Sequence, residues 1–162
     1  TRTPGSSAAC GTGKSDPKPI VCLQAPGCDY WDHWNSFITD QLLKRRLINA
    51  EDLALFTIVD NVEDAVTEIR TFYRRYHSLR FVGRQLAIRL KTPLTEAQVE
   101  GVQKQFSDML TDGTFEQRPS LPEEIDEPGL KDLARLTFSF NRRNAGRLRQ
   151  LINHLNQLPS TA

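Results

Sequence analysis

Cysteine and histidine are scarce in this chain and net charge is nearly absent, and each scarcity closes off a class of function. Three cysteines, Cys10, Cys22 and Cys28, stand among 162 residues. They are odd in number and fall in no metal-ligating spacing, so a disulfide framework and a thiolate zinc site are both unexpected; free thiols in a reducing cytoplasm fit better. The histidines, His33, His77 and His154, are far apart and match no zinc-binding pattern. No metal and no cofactor is expected. No run approaches the roughly 20 apolar residues of a membrane-spanning helix, and the first residues lack the charged-then-apolar order of a signal peptide. With 21 basic against 20 acidic side chains the formal charge is only +1. No global field then demands a polyanionic partner, which argues against nucleic acid. What remains, 38% hydrophobic and 25% charged residues, is the composition of an ordinary globular domain with one core.

A phosphate loop is also missing, although one is suggested. Ala8 to Ser15 fits the loose pattern A-x-x-x-x-G-K-S. A phosphate-binding loop needs a buried strand before it and a helix after it, so that loop and helix N–H groups face the anion. Here the preceding residues are small and polar, and Pro17 and Pro19 forbid a helix after Lys14. The loop precedes a strand instead of following one.

Hydrophobic periodicity divides the chain into three. Residues 1–15, rich in Gly, Ser, Thr and Ala, show no period and read as an irregular segment. In residues 16–77, Ile20 to Leu23 and Phe56 to Val59 are short continuous apolar runs, as in strands buried on both faces. After the first, the pattern predicts a helix from about Asp32 to Leu47 and a short helical piece from Asn49. After the second, Asp60 and Glu63 read as a capping box opening a helix whose apolar face runs from Val62 to Tyr76. Strand, helix, strand, helix is the order of a parallel sheet with covering helices. Residues 78–162 follow another grammar: a strand over 81–90, a helix opened by the Thr95 and Gln98 capping box, a weak strand over 114–118, an acidic Pro-rich loop over 119–128, a one-sided strand carrying Leu136, Phe138 and Phe140, and a helix over 144–158. That order makes an α+β appendage.

Two groups of residues could carry function. Ligands of open α/β sheets sit beyond the carboxyl ends of the strands, which points to Gly27, Asp29, Tyr30 and Trp31: Gly27 permits close backbone approach, and the aromatics can stack on a base or else fill the sheet–helix junction. The second is His77, Ser78 and Arg80, within the basic stretch from Arg70 to Lys91, as an anion site at the junction between the two grammars. The carboxylate pairs Asp29 with Asp32 and Glu123 with Glu124 read as turn, cap and loop chemistry. No catalytic constellation is complete.

The ordered run Thr12-Gly13-Lys14-Ser15-Asp16-Pro17-Lys18-Pro19-Ile20-Val21, Tyr30-Trp31, Asp52-Leu53, Val59-Asp60, Glu63-Asp64-Ala65-Val66, and Phe72-Tyr73 through Tyr76-His77-Ser78-Leu79-Arg80 resembles the C-terminal part of LOG-family proteins. These are Rossmann-like proteins, formerly labelled lysine decarboxylases, similar to cytokinin riboside 5'-monophosphate phosphoribohydrolases; the likeness is to a longer bacterial branch and spans residues 12 to about 158. It implies the C-terminal part of a Rossmann-like parallel sheet followed by an α+β extension, a nucleoside 5'-monophosphate as substrate, hydrolysis to base and ribose 5-phosphate, and a homo-oligomeric intact protein. The family's Pro-Gly-Gly-x-Gly-Thr-x-x-Glu motif, which supplies the phosphate cradle and the catalytic carboxylate, is not in this sequence. The chain alone is therefore expected to be inactive, with an open edge on Ile20 to Leu23 and exposed apolar faces. The alternatives are a non-catalytic nucleotide- or anion-binding regulatory module built on His77, Ser78 and Arg80, and a structural piece that completes a sheet or an oligomer.

Overall fold

The computed structural model describes residues 16–121 and 128–159; the Walker-like stretch, Cys10 and the Glu123 and Glu124 pair lie outside them. The fold is mixed α/β, with two separate sheets among the described residues. β1 (Ile20–Leu23) and β2 (Phe56–Val59) pair in parallel, Ile20 opposite Phe56 and Leu23 opposite Val59. Between them lie α1 (Tyr30–Phe37), prolonged by a π-helical stretch (Ile38–Leu43), and a 3-10 helix (Ala50–Leu55). α2 (Val62–Phe72) follows β2. Its cap is Asn61, not Asp60: the Asn61 side-chain oxygen accepts the Asp64 N–H at 2.8 Å, satisfying one of the donors that a helix start leaves open.

β3 (Tyr76–Val82), β4 (Gln85–Leu90), β5 (Glu116–Arg118) and β6 (Ala134–Ser139) form an antiparallel sheet in the order β3-β4-β6-β5. α3 (Glu96–Phe106) and α4 (Ala145–Gln157) contribute Val102, Phe106, Leu151 and Ile152 to the core against Leu86, Ile88, Leu136 and Phe138. The single strand expected over 81–90 is a hairpin, turning at Gly83 and Arg84. Gly83 has φ +59° while Arg84 is not left-handed, the pattern of a two-residue II′ turn that needs glycine first. Tyr76, expected on the helix, opens β3. Tyr76 and Leu79 are both core residues though an odd number of residues apart, and an irregularity between Tyr76 and Ser78 absorbs the extra residue at His77. β6 is buried on both faces, contrary to the one-sided reading: Arg135, Thr137 and Ser139 are as enclosed as Leu136 and Phe138.

Burial is divided sharply along the chain. Among the described residues, apart from Cys22, the buried hydrophobic core runs from Phe72 to Leu155, while every exposed large hydrophobic lies earlier: Ile20, Leu23, Tyr30, Phe37, Leu47, Val62, Val66 and Ile69. Val62, Val66 and Ile69 recur at helical spacing and form one uncovered stripe on α2. β1 pairs only with β2 among the described residues. Among the described residues the parallel unit has an open edge and bare apolar faces, beside the packed core of the antiparallel sheet.

Three devices tie the two parts together. Asn156 of α4, fully buried, accepts the N–H groups of Arg75 and Tyr76 at 2.8 and 2.9 Å and donates to the Phe72 carbonyl at 2.5 Å. It therefore satisfies the backbone where α2 passes into β3. Arg149 donates to Glu68 of α2 at 2.9 Å and lies over the Phe72 ring, while Glu68 also accepts from Thr57 of β2 at 3.3 Å. Gly146 lets the start of α4 touch the backbone of Glu51 and Asp52 in the 3-10 helix.

Candidate functional site

The carboxyl end of the parallel pair is closed by one glutamine. Gln24 continues β1, its N–H donating to the Val59 carbonyl at 2.8 Å. Its side chain then spans the following loop, donating to Asp32 at 2.8 Å and accepting the Trp31 N–H at 3.1 Å. Within that loop Gly27 has φ +75° and Cys28 N–H donates to Ala25 C=O at 3.0 Å, so Pro26 and Gly27 occupy the two central positions of a turn of type II character. Asp29 stands at the N-cap of α1 without capping it. It meets His33 instead, the ring Nε2 3.0 Å from the carboxylate, on the open surface.

The two aromatics part company here. Trp31 is half-buried, donates its indole N–H to the Leu23 carbonyl at 3.1 Å and packs edge-on against Trp34, which packs on Phe56. It fills the sheet–helix junction, the alternative weighed against base stacking. Tyr30 remains 62% exposed and edge-on to Trp31. Gly27, Asp29, Tyr30 and His33 are thus exposed residues beyond β1, with Tyr30 edge-on to Trp31. His33 and Gln24 were not singled out from sequence; the i,i+4 spacing of Asp29 and His33 was the available signal.

His77 and Ser78 meet on β3 rather than at a helix end, and Arg80 follows on the same strand. The His77 Nδ1 lies 2.9 Å from the Ser78 hydroxyl, which also accepts from Arg89 at 3.3 Å. Strand register carries this group across the sheet: Ser78 faces Arg89, Arg89 faces Arg135, and Arg135 faces Arg118. One serine and three arginines thus form a row over all four strands, on the face opposite the helices. Arg80 shares that face one step away, opposite Ala87. Arg89 of β4 belongs to the basic stretch from Arg70 to Lys91, whereas Arg135 of β6 is not evident from sequence because alternation alone places it on a solvated side.

No family model, curated protein or solved structure matches the chain. Its function therefore rests on geometry. No cluster of three or more His, Cys, Asp or Glu able to hold a metal occurs among the described residues, and no helix among them is long and apolar enough to cross a membrane.

Two histidines give the fold a pH dependence. Burial pushes the His77 imidazole below its ordinary range, and the nearby Lys91 and Arg89 push the same way against Asp16. Burial alone lowers His154, whose ring tilts against Phe106 at 5.4 Å. A histidine depressed in the folded state binds fewer protons there than in the unfolded chain, so its contribution is intact above about pH 6.5 and is lost as pH falls through the folded value. The melting temperature should fall between pH 7 and 5. In the double variant His77→Gln, His154→Gln it should be nearly flat over that interval, and thermal scans at half-unit steps check this. Asp108, held low by its hydrogen bond to Arg147, acts only at more acid pH.

Proposed function

We propose that this chain is the C-terminal portion of a LOG-like nucleoside 5'-monophosphate phosphoribohydrolase, with β1, β2 and their helices belonging to a larger Rossmann-like parallel sheet. The observation that carries the reading is the contrast between the complete core around the antiparallel sheet and the parallel pair with its uncovered apolar residues. Parallel sheets are stable when several strands are buried on both faces. Two strands with Ile20, Leu23 and the α2 stripe in water are a fragment of that architecture. On this reading the loop from Gly27 to Trp31 lies at the substrate edge, Tyr30 beside the base or sugar, and the phosphate cradle and catalytic carboxylate are supplied by residues this chain does not contain.

The resemblance adds the reaction: N-glycosidic cleavage, releasing base and ribose 5-phosphate. Without a carboxylate to stabilise an oxocarbenium-like centre and without a phosphate cradle, the chain alone should not turn substrate over. The test incubates AMP with the chain and, in parallel, with the full product of the open reading frame that encodes it, and measures ribose 5-phosphate. Release by the longer product and none by the chain is expected. Release by the chain alone, or by neither, would sink the proposal.

A further inference from the structure

We infer that the antiparallel half carries a second site, for a phosphate monoester bearing hydroxyl groups, in the cavity between β5, the turn entering α3 and the segment entering β6. The cavity measures about 340 Å³ and is bordered by Pro93, Gln117, Arg118, Lys131, Asp132 and Leu133. That size falls at the lower end of small-molecule sites. One wall is held firmly: the Gln117 amide accepts the Leu94 N–H at 2.6 Å and donates to the Leu94 carbonyl at 3.0 Å, tying β5 to the turn before α3.

Two of the residues bordering the cavity are cationic. Arg118 and Lys131 border it against one carboxylate, Asp132, and Arg118 ends the cross-strand row that runs back through Arg135 to Arg89. Arg135 donates to the Lys131 and Leu133 carbonyls, so its guanidinium is fixed beside the same wall. Arg89 and Arg135 are engaged within the protein. Arg118 pairs with Glu116, both about half exposed, a contact weak enough for a doubly charged phosphate to displace. Arg118 and Lys131 would hold the phosphate, and Asp132 would accept hydrogen bonds from hydroxyls on the rest of the ligand. An inorganic ion could use only the first two.

Calorimetric titration of the chain with ribose 5-phosphate and with inorganic phosphate tests this. Ribose 5-phosphate should bind, and Arg118→Ala with Lys131→Ala should weaken it at least tenfold. Asp132→Asn should weaken ribose 5-phosphate several-fold while leaving inorganic phosphate unchanged or tighter. Arg84→Ala, at a surface ion pair with Asp112, should change neither. All four positions are exposed, and matching melting temperatures would exclude unfolding as the cause. No binding of ribose 5-phosphate up to 10-fold molar excess at millimolar chain, or equal affinity in the Arg118 and Lys131 double variant, would overturn the site. The site does not depend on the hydrolase reading, since AMP turnover and this titration are read separately.

Discussion

Asn156→Leu should destabilise the protein by about 3–5 kcal/mol, the loss expected when several buried polar groups lose their partner together. Leucine matches asparagine in shape but removes the acceptor for Arg75 N–H and Tyr76 N–H and the donor for Phe72 C=O. Those groups sit where α2 ends and β3 begins, and Asn156 is the partner that α4 supplies to all three. Asn156→Asp separates the contributions: it keeps the two acceptor bonds, loses the donor and introduces a buried charge. It too should be destabilised, and increasingly so as pH rises through the carboxylate range, because the ionised form is the one burial disfavours. Chemical denaturation of the three proteins at pH 7 and pH 5 checks both statements. A cost below about 1 kcal/mol for the leucine variant would mean that the turn finds other partners.

Gly146→Ala should cost at least about 3 kcal/mol, against the usual preference of helices for alanine. A β-carbon there would meet the Glu51 carbonyl group and lie 2.6 Å from the Asp52 N–H nitrogen. Both are backbone, so no side-chain rotation relieves the contact, and α4 must move off the 3-10 helix. The control is Gly101→Ala in α3, where nothing lies within 4 Å of the added carbon; that change should instead stabilise by up to about 1 kcal/mol. Opposite signs for the same substitution in two helices would establish that close backbone approach, not helix propensity, fixes glycine at 146. Melting curves of the two variants are sufficient.

Much of the local structure was legible because it is local. The apolar runs at Ile20 and Phe56, and the Thr95 and Gln98 capping box with both its hydrogen bonds, depend on neighbours a few residues away. α1 was read only in part, since its first residue is Tyr30 and its regular turns stop at Phe37. The hairpin at Gly83 was hidden because Arg84 is not a usual turn residue; the signal for it is a change of parity, from Leu79 and Phe81 before the turn to Leu86, Ile88 and Leu90 after it. Tyr76 was misplaced for a related reason: one extra residue at His77 shifts the strand period, and parity cannot be counted before the partner strand is known. Asn156 was invisible, since its partners lie 80 to 84 residues away.

The candidate sites divide in the same way. Gly27, Asp29 and Tyr30 share an accessible surface because they belong to one turn and the helix start that follows it. Trp31 turns inward to Leu23 and Trp34. His77 and Ser78 do meet, but the charge around them comes from Arg89, Arg135 and Arg118, brought into line only by the pairing of β4, β6 and β5. Sequence placed the serine and Arg89; strand register added Arg135 and Arg118.

Backbone amide hydrogen exchange of the chain alone tests most directly whether residues 20–59 are an unfinished sheet beside a finished one. Stability should be uneven, with local opening easiest where apolar contacts are few. Amides of Val21, Cys22 and Leu23 and of Thr57 and Ile58 should exchange at least 100-fold faster than those of Leu86, Ile88 and Leu136. Equal protection across both sheets would mean that the parallel pair is complete as it stands, and would contradict the account.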